Sequence, residues 1–108
     1  MKYVVQLTET AKSDAKAAYG WLKVRTSHSD RWLDGLLNAI ESLGEFPQRC
    51  SLAREHKDFQ DEIRHLLYGK RPHVYRVLFI VRGDVVSVLH IRHAARQRLK
   101  PSDLHFPE

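Results

Sequence analysis

Apolar and polar positions follow two different periods along this chain, and the change of period divides it into a helical part and a sheet part. Residues 3–7, YVVQL, predict a short strand. The hydroxyl groups within residues 8–10 predict a cap for a helix that begins near Glu9 or Ala11. Apolar side chains then recur every three or four positions up to about Val24, which is the spacing of one helix face.

The next apolar stripe predicts a second helix, which would form a hairpin with the first. The sequence HSD at 28–30 offers capping residues, and apolar side chains keep the helical spacing from Trp32 to Phe46. Pro47 cannot continue a helix, so we expect the helix to end there. Residues 47–62 are polar and lose the period, which predicts a loop with room for one further helical turn.

Beyond this loop the period becomes two, as expected for strands. Three strands are predicted, at Ile63–Tyr68, at Val74–Val81 and from Val85 to about His93. GKRPH connects the first two, and RGD forms the turn between the last two. The order β-α-α-β-β-β predicts an α+β fold in which an N-terminal helical hairpin packs on one face of a small, mostly antiparallel sheet. Trp21 and Trp32 lie in the hairpin and are expected in the core.

Length and composition place residues 1–108 in a single domain. The chain is 43% hydrophobic and 29% charged, which is sufficient for one buried core. Residues 97–108 are polar and contain prolines, so we expect this tail to lie over the surface or to become ordered only on a partner. No apolar run of about 18 residues occurs, and the first residues are too polar for a signal peptide, which predicts a cytoplasmic protein without membrane association.

The sequence does not indicate metal or cofactor chemistry. Cys50 is the single cysteine and has no zinc-site spacing around it, so we expect a structural or surface thiol. The chain has no glycine-rich phosphate loop, no HExxH motif and no serine in a nucleophile motif. We therefore expect neither a metal nor a cofactor.

Positive charge is concentrated in one part of the chain, although the net charge is only +5. Residues 1–62 carry nine Lys and Arg against ten Asp and Glu, whereas residues 63–100 carry nine against one, together with four of the seven histidines. This segregation favours a polyanionic partner, either nucleic acid or an acidic protein segment, although a solvated basic face has the same composition. The residues assigned to this binding surface are Arg64, Lys70, Arg71, Arg92, Arg96 and Arg98.

Arg76 interrupts the apolar strand VYRVLFIV, and strand alternation predicts the face on which it lies. Tyr75, Val77, Phe79 and Val81 share one face, which is bulky and almost wholly apolar. We assign that face to the core beneath the helices. Arg76 is then expected on the opposite, open face of the sheet.

The turn after this strand determines the neighbours of Arg76. A two-residue type II′ turn at Gly83-Asp84 would place Ile91 opposite Arg76 and His93 diagonally beside it on the same face. A three-residue turn would instead bring His90 and Arg92 beside Arg76. We prefer the two-residue turn, in which His90 lies on the core side as a neutral histidine bonded to a backbone group.

Arg76 and His93 together are the candidate catalytic pair. A histidine that titrates near neutral pH can move a proton, and a guanidinium can stabilise the negative charge that develops on a phosphate. Metal-free RNA cleavage, in which a 2′-hydroxyl attacks the adjacent phosphorus, requires these two functions. Simple phosphate binding requires the same residue types, so the residues alone leave both hypotheses open.

The run EIRHLLYGKRPHVYRVLFIVRGDVVSVLHIRHAARQRL at 62–99 resembles the sheet half of toxins in the RelE/ParE superfamily of type II toxin-antitoxin systems, also called plasmid stabilisation proteins. The helical half, with LxxxxESLGEFPQRC, is similar too. The resemblance implies a toxin that inhibits growth until a cognate antitoxin wraps it with an acidic or amphipathic C-terminal segment. It also implies toxin-antitoxin heterotetramers as one form of assembly.

The resemblance implies two alternative targets. RelE-like members are ribosome-dependent endoribonucleases that cut messenger RNA without metal, and ParE-like members block DNA gyrase. Arg76 matches the arginine that RelE-like members use for the scissile phosphate, and residues 93–98 lie where their C-terminal catalytic groups lie. The chain lacks the tyrosine that nuclease members commonly carry near the C-terminal end.

Other nuclease residues have only approximate counterparts here. Arg54 and Lys57 are the nearest cations to the expected lysine pair. Nuclease members that use histidine and glutamate suggest His93 with Glu55 or Glu62. We take the nuclease as the leading hypothesis and the gyrase inhibitor as the alternative.

Overall fold

The computed structural model describes residues 2–95, apart from the side chains of His56 and Asp58. Its regular elements follow the predicted β-α-α-β-β-β order. They are β1 (Val4–Leu7), α1 (Glu9–Lys23), α2 (Ser29–Glu41), β2 (Arg64–Tyr68), β3 (Tyr75–Arg82) and β4 (Val85–His93). Within the described range, no helix has the length and apolar character needed to cross a membrane. The predicted tail, 97–108, lies outside the described residues.

α1 begins where the sequence predicts, because Thr8 caps it. The Thr8 hydroxyl accepts a hydrogen bond of 3.1 Å from the backbone N–H of Ala11 and donates one of 3.1 Å to the carbonyl of Leu89 in β4. The first bond satisfies a helix-terminal N–H, and the second ties the helix start to the sheet. Ala11 and Ala15 are buried, and their small side chains suit close packing on the sheet. The prediction that Trp21 is a core residue is wrong, since Trp21 is 46% exposed.

α2 ends at Glu41, five residues before the predicted end, and the chain continues as a 3-10 turn at Ser42–Gly44. The Ser42 hydroxyl donates to the carbonyl of Ala39, and the Arg49 guanidinium donates to the carbonyls of Glu45 and Phe46. These side-chain donors bind carbonyls that a longer helix would use itself, so they favour termination. At the other end, His28 precedes the helix without a side-chain capping bond.

The four strands form one mixed sheet in the order β1-β4-β3-β2. β2, β3 and β4 are antiparallel neighbours, whereas β1 pairs parallel with β4. The sheet is therefore mostly antiparallel, as predicted, with the N-terminal strand at one edge and β2 at the other.

The β3-β4 hairpin confirms the two-residue turn but not the register predicted beyond it. Arg82 pairs with Val85 across a turn in which Gly83 has a φ of 61°, and this register continues to Phe79. A β-bulge between Leu78 and Phe79 then shifts all later pairs by one residue. The expected pairing of Arg76 with Ile91 is consequently wrong, because a bulge opposes two residues to one and resets the register after it.

The sheet carries a hydrophobic cluster on each face. The helix face, against which α1 and α2 pack, contains Tyr75, Val77 and Phe79, as predicted. The expectation that the opposite face is open is wrong. This outer face has its own buried cluster, whose members are Ala53, Ile63, Leu78, Ile80 and Leu89, with Phe59 packed against it.

Residues 51–59, here called the strap, close the outer face. The strap includes a 3-10 helix at Arg54–Asp58, and its start is held against the chain around β2. The Ala53 N–H donates to the Ile63 carbonyl at 2.7 Å, and the His65 N–H donates to the Ser51 carbonyl at 3.1 Å. Ala53 is buried in the outer cluster and Phe59 packs against it, which explains why a polar stretch without helical period nevertheless adopts a defined position.

Candidate functional site

Arg76 lies on the outer face near the middle of the sheet, where the strap covers it. It is opposite Arg92 in β4 and opposite Leu67 in β2. Two arginines directly opposite each other repel, so a nearby anion stabilises this arrangement. The strap supplies that anion, which is Glu55.

Glu55 and Arg76 form a bidentate ion pair. The two terminal nitrogens of Arg76 donate to the two carboxylate oxygens of Glu55 at 2.9 and 2.5 Å. The side chain of Glu55 is 0% exposed and that of Arg76 is 6% exposed. Charged groups so far from water require this kind of complete pairing, because an isolated buried charge carries a large desolvation cost. The guanidinium is therefore already bound to an internal carboxylate.

His65, which is half-buried, completes an outer-face triad with Glu55 and Arg76. Its Nδ1 accepts a hydrogen bond of 3.2 Å from Nε of Arg76. Burial lowers the pKa of His65 below its ordinary value of 6.5, and the charge of Arg76 lowers it further, while Glu55 acts in the opposite direction. A neutral His65 fits this contact, because only an unprotonated Nδ1 can accept the bond.

His93 lies on the other face of the sheet from Arg76. After the bulge it pairs with Tyr75, a member of the helix-face cluster, and its ring centroid is 5.3 Å from that of Tyr75. Directly opposed residues share a face and successive residues alternate, so Tyr75 and Arg76 point to opposite sides. The predicted placement of His93 beside Arg76 is therefore wrong, and the bulge is the reason.

His90 also differs from its predicted surroundings. It pairs with Leu78 instead of Val77, and its Nδ1 contacts the Asp14 carboxylate in α1. The same carboxylate accepts a bond of 2.9 Å from the N–H of Ile91. Leu78 belongs to the outer cluster, so the predicted place of His90 on the core side beside Val77 is wrong. Its polar contact is a side-chain carboxylate and not a backbone group.

A cavity of about 430 Å³ opens on the helix face around His93. Its lining comes from α1, from the connection before β3 and from the end of β4. The lining residues are Asp14, Ala17, Ala18, Trp21, His73, Tyr75, Ile91, Arg92 and His93. Among the side chains that the structure describes, no group of three or more His, Cys, Asp or Glu is placed to hold a metal ion.

The other predicted binding residues are dispersed. Arg64 is partly buried, with its guanidinium donating 2.7 Å to the carbonyl of Cys50 and lying 3.5 Å from Glu62. Lys70 and Arg71 are exposed in the connection between β2 and β3. The thiol of Cys50 is buried, and burial raises its pKa, which makes it an unreactive structural thiol. The predicted residues Arg96 and Arg98 lie outside the described residues.

Sequence reasoning did not identify His65 or the role of Glu55 in closing the outer face. His65 is two residues from Ile63, and the two-residue period of that strand was a signal that both belong to the outer face. Glu55 lies in a stretch without periodicity, so no local pattern shows that its carboxylate meets Arg76, 21 positions away.

Comparisons with known proteins agree with this architecture. The family model described as "ParE toxin of type II toxin-antitoxin system, parDE" matches residues 5–98. No curated protein matches the sequence. Among solved structures, a chain of the chromosomal ParDE TA system from P. aeruginosa is similar, with a TM-score of 0.67 and 16% identity. The alignment covers 85% of this chain and 96% of that chain, and at this identity it shows a shared fold.

Proposed function

Because the chain belongs to the ParE toxin family of type II toxin-antitoxin systems, we propose that it arrests growth by binding DNA gyrase and not by cutting messenger RNA. A toxin of such a system has a cognate antitoxin as its partner. The family resemblance leaves two targets, the ribosome-bound message and gyrase. Arg76 is buried and already paired with Glu55, and this favours gyrase as the target.

The closed outer-face triad is the observation that carries this proposal. A nuclease of the RelE type needs a guanidinium that reaches the scissile phosphate and stabilises its developing charge. Arg76 uses both terminal nitrogens on Glu55 and its Nε on His65, and its side chain is 6% exposed. A phosphate would have to displace a buried carboxylate and lift the strap to reach it.

The position of His93 supports the same conclusion. A proton-transfer group must come within hydrogen-bond reach of the atom it serves, either directly or through one water. With His93 on the helix face and Arg76 on the outer face, the sheet separates the two side chains. A single phosphate cannot contact both, so the pair lacks the geometry for joint catalysis.

We expect the antitoxin to bind at the exposed cationic side chains. Lys70 and Arg71 extend from the connection between β2 and β3, next to the cavity residue His73. An acidic C-terminal segment of the antitoxin would meet complementary charge there, which accelerates association and favours the correct partner. The notably basic segment 63–100 then serves recognition of protein surfaces.

The experiment tests whether the toxin needs the Arg76 guanidinium for its activity when the fold is preserved. A double variant, Glu55→Leu with Arg76→Met, replaces the buried ion pair with apolar side chains and so preserves the fold. Wild type and double variant are expressed without antitoxin, and messenger RNA ends and plasmid supercoiling are measured together. We expect both proteins to arrest growth and relax plasmids while messages stay intact. Codon-phased cuts that appear with wild type and vanish in the double variant would overturn the proposal.

A further inference from the structure

The cavity on the helix face plays no part in the choice of target proposed above, and much of its lining is apolar. Its volume is about 430 Å³, near the lower end of the range of about 300–1,000 Å³ in which proteins bury compact ligand groups. The apolar and aromatic residues in its wall are Ala17, Ala18, Trp21, Tyr75 and Ile91. A cavity of this size and chemistry suits one large apolar side chain of a partner protein.

Trp21 is held in a fixed orientation at this cavity. The guanidinium of Arg25 covers one face of the indole, 4.1 Å from the ring centre, and donates 2.8 Å to the Trp21 carbonyl. The ring of His73 lies beside it, with centroids 6.3 Å apart. Trp21 is still 46% exposed, and Val24, three positions later, is 79% exposed. An exposed aromatic ring that is ordered before binding loses little conformational freedom in a complex, which favours its use as a hot spot.

Asp14 limits the chemistry of the group that can enter. It is the only carboxylate among the lining residues that the structure describes. Its Oδ2 accepts a bond of 2.9 Å from the N–H of Ile91 and contacts Nδ1 of His90, so the carboxylate is fixed within the fold. A second carboxylate in the cavity would meet a like charge, which is unfavourable. The entering side chain is therefore apolar, and any acidic residue of the same partner stays outside.

The charge outside the cavity is positive. Lys70 and Arg71 are exposed, and the N–H of the lining residue His73 donates 2.7 Å to the carbonyl of Lys70, which closes a turn. Among the described side chains, no carboxylate lies within 4 Å of Lys70, Arg71 or Arg25. The ends of such a turn are less than about 7 Å apart, and an extended chain advances about 3.3 Å per residue. An acidic residue about two or three positions from an anchored side chain therefore reaches these cations.

We propose that the helix-face cavity is the anchor site for the antitoxin. One large apolar side chain of the antitoxin, aromatic or long aliphatic, enters the cavity beside Trp21, and a nearby acidic residue pairs with Lys70 or Arg71. The inference rests on the proposed function for the partner, but it does not depend on gyrase as the target. An anionic membrane would meet the same cations, but its flat surface would leave the cavity empty, so the concave site favours a protein segment.

The test measures the association and dissociation rates of the full chain with its full-length cognate antitoxin by surface plasmon resonance. Trp21→Ala removes a wall of the site and Ala17→Leu fills its space, so each should weaken binding by about tenfold or more, mainly through faster dissociation. The double variant Lys70→Gln/Arg71→Gln should slow association by about fivefold or more and reduce its salt dependence. Gyrase is absent from this measurement, so an error in the proposed target leaves the result unaffected.

Alanine substitution of each large apolar residue of the antitoxin identifies the anchor itself. The loss of affinity from removing the anchor and the loss from Trp21→Ala should not add in the double variant, because both changes remove the same contact. Strict additivity for every apolar residue of the antitoxin would overturn the proposal.

Two control variants change the same kinds of residue elsewhere on the surface. Phe46→Ala removes an aromatic side chain that is 66% exposed and does not line the cavity. Lys2→Gln/Lys57→Gln removes two exposed cations from the start of the chain and from the strap. Both should leave the two rates unchanged. Affinity that is insensitive to Trp21→Ala and Ala17→Leu, equal weakening by the controls, or displacement of the antitoxin by phosphatidylglycerol vesicles would each overturn the proposal.

Discussion

The guanidinium of Arg76 is bound at both terminal nitrogens by the carboxylate of Glu55, at 2.9 and 2.5 Å, in a position from which water is excluded. This contact joins the strap to β3, an inner strand of the sheet. It also removes from the surface the cation that a ribonuclease of this architecture would use. The same ion pair therefore stabilises the fold and closes the face on which a ribonuclease would bind its phosphate.

Glu55→Gln should destabilise the protein strongly. The substitution leaves the positive charge of Arg76 buried without its counterion, which costs about 3–5 kcal/mol. Glu62→Gln is the matched control, because Glu62 is 68% exposed and lies 3.5 Å from Arg64, and surface pairs contribute about 0–1 kcal/mol. Urea unfolding measures both variants. An equal decrease in the free energy of unfolding of the two variants would contradict a stabilising role for the buried ion pair.

The stability of the protein should fall as the solution is acidified through the titration range of His65. The pKa of His65 is lowered in the folded state, chiefly by burial and then by Arg76, so the unfolded chain binds the proton more readily. The stabilisation is complete above the ordinary value of 6.5 and is lost as pH falls below it. Urea unfolding at a series of pH values between neutral and mildly acid conditions measures this dependence.

The variant His65→Gln should flatten the pH dependence in that window, because it removes the titrating imidazole beside Arg76. His28→Gln is the control, since His28 is exposed at the start of α2. An unchanged slope in His65→Gln, or the same flattening in His28→Gln, would show that another group carries the pH dependence.

Two helical glycines should respond oppositely to alanine. A Cβ on Gly35 in α2 would clash with the Tyr68 hydroxyl, which donates 2.7 Å to the Trp32 carbonyl. Gly35→Ala should therefore cost about 1–3 kcal/mol by overpacking. A Cβ on Gly20 in α1 meets no atom within 4 Å, so Gly20→Ala should stabilise by about 0.5–1 kcal/mol through helix propensity. Thermal unfolding of both variants tests this, and destabilisation by Gly20→Ala would contradict the packing described for α1.

The elements of this fold are readable from the sequence because each shows its own period. The helical spacing ending near Val24 and the alternation across residues 75–81 predict both the hairpin and the face of the sheet that it covers. The type II′ turn at Gly83-Asp84 is readable for a similar reason, since glycine accepts the positive φ that the first turn position needs.

The candidate site was harder to predict because two non-local effects determine it. One extra residue at the bulge moves His93 away from Arg76, and the sequence of β4 contains no signal for where such a residue falls. The strap is polar in sequence, and its cover of the outer face depends on long-range contacts of Ala53, Glu55 and Phe59. Neither the bulge nor the position of the strap can be read from the local pattern of apolar and polar residues.

A supercoiling assay with purified components tests the central claim most directly. The purified toxin is incubated with DNA gyrase, ATP and relaxed plasmid, in parallel with the Glu55→Leu/Arg76→Met double variant and with translating ribosomes as the alternative target. The account predicts that wild type and double variant both inhibit supercoiling and that neither cleaves ribosome-bound message. Normal supercoiling, together with message cleavage by wild type that the double variant has lost, would contradict it.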